Sequence, residues 1–128
     1  MNEMGYRVES RKAFQEVNSQ LEKIAPERGF RVLAIHDTQV TLAEKGFKID
    51  PMKIIEVCNG KFAYEAIGKN VDVSLFMPCR IVVREEKGKT IITLARPSMI
   101  SQMMPGFGLE EMASEVERQL SGIINEVK

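Results

Sequence analysis

Two cysteines and one histidine are the residues of this chain best suited to chemistry. Cys79 stands in VSLFMPCRIVV, between Pro78 and an apolar run, and Cys58 stands in IIEVCNGKF, at the end of another apolar run. A thiol at a strand end just before a helix meets unpaired backbone N–H groups, which favour its thiolate. Asn59 is placed to cap that helix. Along a strand, Cys79 shares a face with Ile81 and Val83, whereas Arg80, Val82 and Arg84 point the other way. That placement favours burial, the usual state of a free cysteine. His36 is the only histidine, and Asp37 beside it can fix its tautomer.

Cys58, Cys79 and His36 would suit zinc or copper by ligand type, but no CxxC or HExxH spacing supports a metal centre, and none is expected. No P-loop, GxGxxG or GxSxG motif is present, and Glu85 and Glu86 face opposite ways on a strand, so no carboxylate pair forms. No catalytic residue is assigned. Cys58, Asn59, Cys79 and His36 are the expected ligand-binding residues, for a small molecule whose identity, like that of any cofactor, the sequence leaves unknown.

The elements that must position these residues follow from periodicity. Tyr6 and Val8 alternate with charged residues as in a half-buried strand, and Ser10 offers a helix cap ahead of an apolar stripe of Phe14, Val17, Leu21 and Ile24. Pro26 lies in its last turn and Gly29 is a stop signal. Residues 30–36, FRVLAIH, are apolar on both faces and predict a central strand. Residues 38–50 fit a short helical turn or an extended crossover. MKIIEVC, 52–58, is a strand, and KFAYEAIGK, 61–69, a helix with Phe62, Ala66 and Ile67 on one face. CRIVVREEKGKTIITLA predicts a hairpin turning around residues 86–89. Residues 96–108, with Met99, Met103 and Met104, read as a loop. Leu109, Met112, Val116, Leu120, Ile123, Ile124 and Val127 then mark a long terminal helix, with Glu110 and Glu111 favourably placed in its first turn.

The order β-α-β-β-α-β-β-α predicts an α+β fold, a mostly antiparallel sheet covered by helices. At 128 residues, a single domain spanning 1–128 is expected. Hydrophobic residues make up 44% and charged residues 28%, and the formal charge balances to zero. A globular protein follows, with no overall field favouring nucleic acid. Apolar runs fall far short of the roughly 20 residues of a membrane span. With two cysteines and no signal-peptide pattern at the start, a cytoplasmic protein with reduced thiols is expected.

The segments IHDTQVTLAEKG, EVCNGKFAYEAI and LFMPCRIVVREEKGKTIITLARP, in that order, resemble the domain-of-unknown-function family 302 over roughly residues 5 to 125. Cys58-Asn59 and Pro78-Cys79 are the most distinctive pieces. Members commonly have Pro where this chain has Gly60. The resemblance implies a curved antiparallel sheet and a long C-terminal helix, similar to the TATA-binding-protein architecture, and carries no established activity or cofactor; fold alone does not imply DNA binding. The expected function is a noncatalytic small-ligand-binding or accessory domain with a two-cysteine site, forming a homodimer. Two alternatives stand beside it: a thiol-dependent redox protein or enzyme using Cys58, with His36 or Cys79 as partner, and a homo-oligomeric interaction protein using the Met-rich loop.

Overall fold

The computed structural model describes residues 4–128. Five strands form one sheet: β1 (Gly5–Ser10), β2 (Arg31–Asp37), β3 (Met52–Cys58), β4 (Cys79–Glu86) and β5 (Lys89–Ala95). Their spatial order is β1-β5-β4-β3-β2, and every neighbouring pair is antiparallel. The β4–β5 hairpin pairs Glu86 with Lys89. Lys87 and Gly88 between them have φ of 50° and 78°, the two positive values that a tight turn matched to strand twist requires.

The helices are α1 (Phe14–Glu27), α2 (Thr38–Ala43), α3 (Gly60–Lys69), α4 (Ser98–Met103) and α5 (Glu110–Val127), with a 3-10 segment at Val71–Phe76. The core lies between one sheet face and helices α1 and α5. Ile55, Val57, Ile81, Val83, Ile92 and Leu94 meet Val17, Leu21 and Ala25 of α1, and Val116, Leu120, Ile123, Ile124 and Val127 of α5. The period-2 pattern of the strands and the 3.6-period stripes of the helices thus converge on one apolar layer. The opposite sheet face carries polar contacts: Glu56 with the His36 imidazole and with Arg80, and Glu86 with Arg7 and Arg84.

The α+β class, the antiparallel sheet and the long terminal helix agree with the sequence reading. No helix among the described residues is long and apolar enough to cross a membrane. Four local expectations are corrected. The strand expected at the centre is β2, an edge; Leu33 is 50% exposed, and the register slips between Val32 and Ala34, so apolar residues on both faces reflect an irregular margin. Ser10 does not cap α1, which starts at Phe14 after Ala13; its Oγ accepts a hydrogen bond from Lys12 N–H. Ile67 turns outward while Ala66 is buried, because consecutive helix residues lie about 100° apart. The stretch read as a loop contains α4, whose Ser101 is buried and donates to Ser98 O.

Candidate functional site

Antiparallel pairing sets the site. β3 ends at Cys58 and β4 starts at Cys79, and Val57 lies directly opposite Cys79. The two cysteines are therefore brought together by the register of adjacent strands, although twenty residues of chain separate them. Those residues form α3 and the 3-10 segment, which fold over this end of the sheet. Asn59 fixes the start of the cover: its Oδ1 accepts from Phe62 N–H at 3.1 Å, capping α3 as expected, and its Nδ2 donates to Gly29 O at 2.9 Å. One side chain thus ties the β3–α3 turn to the α1–β2 turn. Gly29 has φ of +88°, a conformation that glycine adopts without steric cost. The Met77–Pro78 peptide immediately before Cys79 is cis.

Beneath this cover is a partly open cavity of about 80 Å³. Cys58, Asn59 and Cys79 line it with Phe30, Phe62 and Met77 on one side, and Met112, Ala113 and Val116 of α5 on the other. Pro97, Ile100 and Leu109 bring α4 and its flanks to the wall. Glu117 of α5 holds that wall in place: its carboxylate accepts from Ser98 N–H at 3.1 Å and Ser98 Oγ at 2.6 Å, and pairs with Arg96 Nε at 3.3 Å. Partial burial opposes the ionised form, but the Ser98 hydroxyl and N–H and the Arg96 charge prevail and hold this carboxyl below its ordinary 4.5.

Both cysteines are free and only partly exposed. Burial above all, with the nearby Cys58, pushes the Cys79 thiol up to about 11 against the lowering effect of Arg80. Cys79 is therefore a protonated thiol across the neutral range, the state in which sulfur is a poor nucleophile. His36 does not line the cavity. It lies on the opposite sheet face across from Ile54, its Nε2 3.2 Å from Glu56 Oε1. The structure thus brings together three of the four residues expected at the site.

The chain matches the family model described as "Domain of unknown function DUF302" over residues 6–127. The chain belongs to this family. A solved structure described as "Crystal structure of uncharacterized conserved protein DUF302 from Bacillus stearothermophilus" is 32% identical, covers 99% of this chain and 100% of its own, and superposes with a TM-score of 0.94. No curated protein matches the chain. Membership in the DUF302 family accounts for the fold; that Cys58-Asn59 and Pro78-Cys79 line one cavity is a feature of this structure. Sequence reasoning did not assign Met77 and Met112 to the site; Met112 counted only as part of the α5 stripe, and Met77 only as the neighbour of Pro78. Met77 carried a signal, a thioether two residues before Cys79; Met112 reaches the cavity only through the packing of α5.

Proposed function

We propose that this protein is a noncatalytic small-ligand-binding domain whose ligand sits in the cavity lined by Cys58 and Cys79. The observation that carries the reading is the cavity itself, which both cysteines line. Ligand sites are typically apolar concavities with a few fixed polar groups. At about 80 Å³, this one is roughly half the size of an engineered apolar cavity of about 150 Å³ that accepts benzene or xenon. The ligand is accordingly a molecule of a few heavy atoms, or one small group of a larger molecule. Asn59 acts as a positioning residue, since both ends of its amide are engaged by backbone.

A thiol enzyme built on Cys58 has less support. Cys79 is held protonated by burial, and His36 is paired with Glu56 away from the cavity, so neither expected partner serves as a base. Free thiols suit a reducing, cytoplasmic setting.

The homodimer has its own observation. β2 is a sheet edge with Leu33 and Ile35 partly exposed, and edge strands pair readily with a second copy. Antiparallel self-pairing centred on Ala34 would set Arg31 of each copy against Asp37 of the other. Native mass spectrometry of untagged, gently purified protein tests both readings. The expected spectrum has a two-chain mass and a reproducible excess mass that is lost in Cys58→Ser. A single bare chain contradicts both.

A further inference from the structure

The cavity's donor atoms are unusual in kind. Of its lining side chains, only five carry a heteroatom: Cys58, Cys79, Met77, Met112 and Asn59. The Asn59 amide already makes one hydrogen bond at each end, to Gly29 O and from Phe62 N–H. The other four are all sulfur, two thiols and two thioethers, in an otherwise hydrocarbon wall. Both thiols line the same cavity, at the adjacent ends of paired strands β3 and β4. Among the described residues no three His, Cys, Asp or Glu side chains converge on a point, which removes the usual three- or four-ligand zinc set. Hard cations need roughly six or more oxygen donors, and Asn59 Oδ1, which already accepts from Phe62 N–H, is the one side-chain oxygen in the cavity lining.

Resting on the reading of this cavity as a ligand site, we propose that it is a Cu(I) site in which Cys58 and Cys79 supply the ligands and Met77 and Met112 supply supporting thioether contacts. Thiolate and thioether are the soft donors that select Cu(I). A bare ion fits a cavity of about 80 Å³. Binding forms two Cu–S bonds and breaks two S–H bonds, the protons leaving to solvent; copper enters and remains as Cu(I), so no electron donor is required. The bis-thiolate centre carries one negative charge.

The test is anaerobic titration of the reduced full chain with Cu(I) in competition with a chromogenic Cu(I) chelator. Stoichiometry is read by native mass spectrometry, and Cu–S bonding by thiolate-to-metal charge-transfer absorption. The expected result is one Cu(I) per chain with that absorption, and no retained Zn(II). Cys58→Ser and Cys79→Ser each weaken retention by more than about 100-fold, and the Met77→Leu/Met112→Leu double variant weakens it by about tenfold. The Leu variants preserve volume and hydrophobicity, so they report on sulfur even where a serine variant fails to fold. Failure of the native chain to compete with the chelator, or equal retention by folded Cys79→Ser, overturns the proposal. Xenon entering the cavity of a protein that refuses Cu(I) also overturns it while leaving the ligand-site reading intact. Refusal of both removes both.

Discussion

The two cysteines differ in what their surroundings permit. Cys79 faces the same side of β4 as fully buried Ile81 and Val83, and the desolvated thiol keeps its proton until about pH 11. Native-state alkylation of Cys79 is expected to be slow at pH 8 and to accelerate toward pH 11, measured by mass spectrometry of the peptide after quenching. Rapid modification at pH 7 would contradict the burial argument. The sign of the linked stability follows: the folded chain holds this proton more tightly than the unfolded chain, whose thiol titrates near its ordinary 9.0. The contribution is present below about pH 9 and is lost as pH rises through about 11. The inward direction of Cys79 was legible from alternation. Its meeting with Cys58 was not, because strand register is a tertiary property that no local spacing encodes.

At the scale of elements, the strands that the sequence marked by β-branched runs form where expected, and the Asn59 cap and the β4–β5 turn follow from side-chain chemistry alone. α4 was illegible because only six residues form it and prolines and glycines surround it. Its position depends on Glu117, a residue on a different element. Glu117→Gln is expected to destabilise the fold by about 1–2 kcal/mol at neutral pH, since the charge-assisted bonds to Ser98 and Arg96 weaken. A denaturant melt measures it. Because this carboxyl is held below its ordinary 4.5, its contribution is present above that pH and is lost as pH falls below it. The gap between the native and Gln variants should therefore close in acid. A gap that persists unchanged at low pH would show that Glu117 acts through packing instead of charge.

Across the whole molecule, the sheet and its two long helices form one core, and the cavity lies at the end of that core where α3, α4 and α5 close over the β3–β4 junction. The composition predicted such a core but not an unfilled space in it, because a cavity is set by how surfaces fail to meet and not by which residues supply them. The role of β2 as margin, with its exposed Leu33, was hidden for the same reason: edge or centre depends on strand order, which hydrophobicity does not specify. A ligand site requires this cavity to be accessible and receptive. Its most direct test is the methyl spectrum of methionine-labelled protein under xenon pressure. The expected result is saturable shifts at Met77 and Met112, which line the cavity, with little change at exposed Met103. No shift at either lining methionine, or equal shifts at Met103, would contradict the assignment of this cavity as a ligand site.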